Sequence, residues 1–94
     1  MSSLQDPQES RKNDSERCPC CGHFTIGEKA AFEICDVCFW EDDGQTDADA
    51  DTIRGGPNGV LSLTAARSNY RLYGACEKRF LDSVRKPTEN ENGA

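Results

Sequence analysis

Two short runs, Cys18-Pro19-Cys20-Cys21-Gly22 and Cys35-Asp36-Val37-Cys38, decide how this chain of 94 residues is read. Cys18 and Cys21 form one C-x2-C pair, Cys35 and Cys38 a second, and thirteen residues separate the pairs. Two cysteines three apart can turn a tight knuckle on which both sulfurs converge. A hairpin-length connection then brings the second knuckle opposite the first, which completes a tetrahedral shell of four sulfurs about 2.3 Å from one metal ion. Pro19 stiffens the first knuckle and Gly22 relieves crowding just past its second ligand. The spacing therefore predicts Cys18, Cys21, Cys35 and Cys38 as ligands of one structural Zn2+, with iron as the competing metal for the same soft donors.

Other uses of these side chains fit less well. A redox dithiol of the thioredoxin kind follows a strand at the start of a helix, whereas these pairs flank an expected hairpin. Using Cys20 in place of Cys21 would make the two knuckles unequal, so Cys20 is expected as a solvent-facing spacer, with a reactive thiol as the alternative. Cys76 falls on an apolar stripe and reads as a small core residue. His23 follows the first knuckle directly, and with four cysteines in place it is expected as a strand-start residue or a donor behind the ligands. A site whose four positions are all filled by protein activates no water, so no residue is assigned a catalytic role.

Asp47, Asp49 and Asp51 imitate the first oxygens of a calcium loop. The pattern then fails, with Thr52 where glycine is needed and Asn58 where a bidentate glutamate is needed. Glu41, Asp42 and Asp43 could pair as acid and base, but no nucleophile accompanies them.

Size and charge set the remaining bounds. A chain this short supports one small core, and the seventeen large apolar residues between Arg17 and Pro87 are few enough that a metal or disulfides must supplement burial. The first residues carry no apolar run of the signal-peptide kind, so a reducing, cytoplasmic setting with metal-bound thiols is expected. No run of apolar residues is long enough to span a membrane. The net charge of -6 is uneven: Asp36 to Asp51 sums to -7, and Ser62 to Lys86 to +4. Self-complementation of the two regions is the simpler expectation. A partner site on the basic face is the sharper one, while overall acidity argues against non-specific DNA binding.

Along the chain, residues 1–16 and 88–94 are polar and are expected as disordered tails around a domain at 17–87. Phe24-Thr25-Ile26 and Phe32-Glu33-Ile34 alternate on either side of a Gly27-containing turn, which predicts a β-hairpin, and a further short strand is expected through Val37 to Trp40. Glu41 to Gly59 reads as a long irregular loop. Ser62 is an N-cap for a helix with Leu63, Ala66, Tyr70 and Tyr73 on one stripe, ended by Gly74. A second helix is expected from about Cys76 to Val84, with Cys76, Phe80 and Val84 on its apolar side.

The same residues carry a resemblance. With Cys18-Pro19-Cys20-Cys21-Gly22, Glu33 through Gly44, Gly55-Gly56-Pro57-Asn58, and the pairs Ala66-Arg67, Asn69-Tyr70 and Gly74-Ala75, the chain resembles the bacterial cysteine-rich CPCC family over about residues 17 to 87. The resemblance implies zinc binding and supplies no substrate. It also draws Trp40 into the family's pattern, where packing over the metal site with its N–H bonded to a carbonyl or carboxylate is expected. The fold expectation is a small metal-stabilised α+β domain: a zinc-ribbon β-hairpin with two C-terminal helices that pack Tyr70, Tyr73, Phe80 and Val84 against Trp40. The functional expectation is a binding or adaptor module with a protein partner. The alternatives are a nucleic-acid module using Arg67, Arg71, Lys78, Arg79 and Arg85, and a thiol-redox protein.

Overall fold

A cysteine knuckle reverses the chain, so each one invites its own pair of strands. In the computed structural model, which describes residues 15–92, this happens at both runs. Strand β1 (Glu16–Arg17) pairs antiparallel with β2 (Phe24–Ile26), Glu16 opposite Ile26 and Arg17 opposite Phe24, with the register shifting between them. Between them the Cys18 N–H donates to the His23 carbonyl at 2.8 Å, and the Gly22 N–H to the Cys18 carbonyl at 2.8 Å. The second run repeats the pattern: the Cys35 N–H donates to the Trp40 carbonyl at 3.0 Å, the Phe39 N–H to the Cys35 carbonyl at 2.7 Å, and Ile34 bridges Glu41.

The repeat extends to the backbone. Gly22 and Phe39 occupy the same place in their knuckles, and both are left-handed, with φ of 82° and 71°. Glycine adopts this freely. For Phe39 it costs about 1–2 kcal/mol, offset by packing of its ring on Phe80, with centroids 4.5 Å apart.

The expected pairing of Phe24–Ile26 with Phe32–Ile34 is therefore replaced by two separate hairpins. Alternation identifies a strand but not its partner, and the knuckles close short loops at little entropic cost. Residues 32–34 pair instead with 40–42, through Phe32 N–H to the Asp42 carbonyl at 3.0 Å and Asp42 N–H to the Glu33 carbonyl at 2.9 Å. Val37 lies in the knuckle turn rather than on a strand.

Helix α1 (Leu63–Tyr73) matches its sequence signals. Ser62 Oγ accepts the Ala65 N–H at 3.0 Å, and Gly74, with φ of 96°, donates its N–H to Tyr70. Leu63 and Ala66 are buried and Tyr70 half-buried, but Tyr73 at the end of the stripe is exposed. The second expected helix is only a 3-10 segment, Lys78–Ser83. Cys76 stays outside it and is tied to the core instead, its N–H donating to the Cys38 carbonyl at 2.7 Å and its carbonyl accepting from Asn69 Nδ2 at 2.9 Å. Glu77 then caps the segment without a side-chain bond.

The core consists of Trp40, Ile26, Leu63, Val37 and Ala66 gathered around Cys18, Cys20, Cys35, Cys38 and Cys76. The long loop carries two short 3-10 turns, Asp47–Asp49, capped by Thr46, and Gly56–Asn58. Thr88 to Asn92, read from composition as tail, fold back onto the first hairpin, where the Glu91 carbonyl accepts the Phe24 N–H at 2.8 Å. The Glu91 carboxylate is 3% exposed and takes both terminal nitrogens of Arg85 at 2.8 Å, a bidentate pair that makes burial of the charge tolerable. Of the expected N-terminal tail 1–16, Glu16 lies on β1, held by its pairing with β2, and residues 1–14, like 93–94, lie outside the described residues. Among the described residues, no helix is long and apolar enough to cross a membrane.

Candidate metal centre

The two hairpin tips face each other. Sγ of Cys18 lies 3.5 Å from that of Cys38, Sγ of Cys21 lies 3.7 Å from that of Cys35, and all four sulfurs lie within 4.8 Å of one another. Four sulfurs at about 2.3 Å around a tetrahedral ion stand roughly 3.8 Å apart, so the cluster has the dimensions of a one-ion site. Cys18, Cys35 and Cys38 are buried and Cys21 half-buried. The group could hold a metal ion.

Cys35 is the best supported of the four. Its sulfur faces Thr25 Oγ1 at 3.0 Å and the N–H groups of Val37 at 3.3 Å and Cys38 at 3.4 Å. Contacts with the Cys18, Cys21 and Cys38 thiols hold its ionisation well below the usual thiol range, helped by Thr25. Cys21 and Cys38 are pushed up, chiefly by their contacts with Cys18. Of these three, Cys35 is thus the one that carries a negative charge most readily. A divalent cation held by the four cysteines would favour the thiolate at each of them.

The other predicted residues fall around this centre. Cys20 is not solvent-facing: it is 8% exposed, because α1 covers the knuckle and Arg67 Nε donates to the Pro19 carbonyl at 2.8 Å. Cys76 is buried in the core, and burial, followed by the charge of Cys20, raises its thiol to about 12. His23 stays outside the ligand group and sets its ring edge-on to Tyr70 at 6.1 Å. Trp40 is completely buried, but its Nε1 has no hydrogen-bond partner among the described residues, in place of the expected carbonyl or carboxylate.

The acidic loop is held internally. Asp42 accepts the N–H groups of Ala30 at 2.8 Å and Gly44 at 3.2 Å, and Asp43 accepts that of Gln45 at 3.1 Å. Asp47 pairs with Arg67 at 2.7 Å, Asp49 with Arg54 at 2.8 Å, and Asp51 with the Thr64 hydroxyl at 2.5 Å. The three calcium-like aspartates are therefore committed to three different partners. Thr25 and Arg67 were not predicted as supports of the centre. Thr25 offers no sequence signal, since a threonine on a strand is ordinary, and Arg67 read only as a surface charge.

Two like knuckles closing on one cluster of four thiols, within a small α+β fold of one two-stranded antiparallel sheet, a second hairpin closed by the Ile34–Glu41 bridge, and one helix, define a cysteine-based domain able to bind metal. The family model described as cysteine-rich CPCC matches residues 16–91, and the chain belongs to that family. No curated protein and no solved structure matches the chain.

Proposed function

We propose that this protein is a zinc-ribbon-like adaptor of the cytoplasm, in which one structural Zn2+ held by Cys18, Cys21, Cys35 and Cys38 fixes a surface that binds another protein. The observation that carries the metal reading is the convergence of four sulfurs at tetrahedral spacing. The ion would act as a cross-link between two hairpins that otherwise share little secondary structure. A soft four-sulfur site suits zinc or iron, and the closed donor set favours a structural role.

A protein partner fits the charge distribution better than nucleic acid does. Of the five residues of the basic face, Arg67 is tied to Pro19 and Asp47, Arg85 to Glu91, and Arg79 to Glu77. That leaves Arg71 and Lys78 as a thin footprint for phosphates on a chain of net charge -6. Fluorescence anisotropy of the zinc-loaded protein with duplex and single-stranded oligonucleotides tests this. Absence of salt-sensitive binding is expected, and tight binding that weakens steeply with salt would establish the nucleic-acid alternative.

A further inference from the structure

The end of α1 and the 3-10 segment leave an apolar surface that the fold does not use. Leu72 is 70% exposed, Tyr73 46% and Leu81 41%. Leu81 reaches back to Gly74, where a Cβ would meet its Cδ2 at 3.9 Å. Lys78 Nζ lies 5.6 Å from the centre of the Tyr73 ring. A 3-10 helix repeats every three residues, so Lys78 and Leu81 share one side of it.

The same geometry sorts the charges. Arg79 pairs with Glu77 at 3.2 Å, and Asp82, three residues on from Arg79, falls on the Arg79 side. Arg79 itself lies over the Phe80 ring at 4.3 Å, and Phe80 packs on Phe39 of the second knuckle. Glu77 is thereby held by Arg79, and the three-residue repeat places Asp82 on a different side of the segment from Lys78 and Leu81. Lys78 stands among the apolar side chains with no carboxylate within ion-pair distance among the described residues. Among the described residues, no carboxylate of the acidic loop is a partner of Lys78, whereas Asp49 of that loop pairs with Arg54 and Asp47 with Arg67.

The geometry points to Tyr73, Lys78 and Leu81 as the docking surface for an acidic amphipathic segment of a partner protein, whose apolar side chains cover Tyr73 and Leu81 and whose carboxylate pairs with Lys78. This rests on the adaptor reading above and gives it a location and a partner chemistry. A lone cation within an apolar patch selects a partner by charge sign while burial supplies the affinity. Because Phe80 and Phe39 link the segment to the second knuckle, the surface keeps its shape only while that knuckle is held.

The test uses the full zinc-loaded chain and two labelled helical peptides, each with one leucine face, flanked by glutamates in one and by lysines in the other. The glutamate peptide should bind, and Lys78→Glu should weaken it on the order of tenfold while strengthening the lysine peptide. Tyr73→Ser should weaken both. Equal binding of an all-glutamate peptide, displacement by a thymidine oligonucleotide, indifference to both substitutions, or no binding would each overturn the proposal. Zinc content and circular dichroism of the same samples separate the two readings. A folded, metal-free protein that still binds the peptide contradicts structural zinc and leaves the surface intact. A zinc-loaded, folded protein that binds nothing contradicts the surface alone.

Discussion

The side-chain amide of Asn58 takes the place of a neighbouring strand against Glu41. Its Nδ2 donates to the Glu41 carbonyl at 2.8 Å and its Oδ1 accepts the Glu41 N–H at 3.2 Å. The outer edge of the second hairpin is thus closed by one residue delivered from the long loop. Gly55 and Gly56, with φ of 77° and 62°, make the turn that presents it. Both backbone groups lose their partner together when the amide is removed. Asn58→Ala should therefore lower the stability of the zinc-loaded protein by about 1–3 kcal/mol in urea denaturation. Asn58→Asp should be no better, since it sets a carboxylate against the Glu41 carbonyl.

The matched left-handed positions of the knuckles should respond in different ways. Gly22→Ala meets nothing within 4 Å of the new Cβ, so its effect is conformational, a loss of about 1–2 kcal/mol. Phe39→Gly relieves a similar strain but gives up the stack on Phe80. Thermal denaturation should show a net loss of about 1–2 kcal/mol. A Phe39→Gly protein more stable than the parent would mean that the stack contributes less than the strain it offsets.

Thr25 should tune the metal. With a thiolate at Cys35, its hydroxyl becomes the donor, and Thr25→Val leaves that sulfur with only two backbone N–H groups. Competition against a chromophoric chelator should show zinc affinity reduced by about tenfold, in the range for supports of metal ligands. Thr25→Ser should retain it. The two variants share the fold, so their difference isolates the hydroxyl.

Tyr70 gives a pH signature. Burial, the largest cause, raises its phenol from 10.0 to about 12. A raised folded value means that the folded state keeps its proton where the unfolded state loses it. The contribution of Tyr70 to stability is therefore complete below pH 10 and is lost as pH rises toward about 12. In a Tyr73→Phe background, tyrosinate absorbance should appear near pH 12, and at lower pH once the protein is unfolded in urea.

The metal cluster and α1 were legible in the sequence because each depends on local chemistry. Ligand spacing is set by the knuckle, and Ser62 and Gly74 mark the helix ends whatever surrounds them. The pairing of strands was not legible, because Phe24–Ile26 and Phe32–Ile34 alternate alike and only the cross-chain bonds of Cys18 to His23 and Cys35 to Trp40 show that each knuckle closes its own hairpin. Burial of Cys20 depends on where α1 lies, and the order of Glu91 on Arg85 six residues before it. A polar run such as Thr88 to Asn92 reads as tail until its one buried carboxylate finds its partner. Arg67 was similarly hidden. It joins α1 to the first knuckle and to Asp47, so replacing it perturbs the fold as well as the surface charge.

Native mass spectrometry of the purified protein before and after chelation, with circular dichroism on the same samples, tests the central claim most directly. One zinc per chain, removed by the chelator together with the folded signal and absent from a Cys35→Ser variant, is the predicted result. The free energy of structural zinc sites, about 10–16 kcal/mol, exceeds what a core this small can replace. A metal-free chain that keeps its folded spectrum would contradict structural zinc and turn attention to the thiol chemistry of Cys18, Cys20 and Cys21.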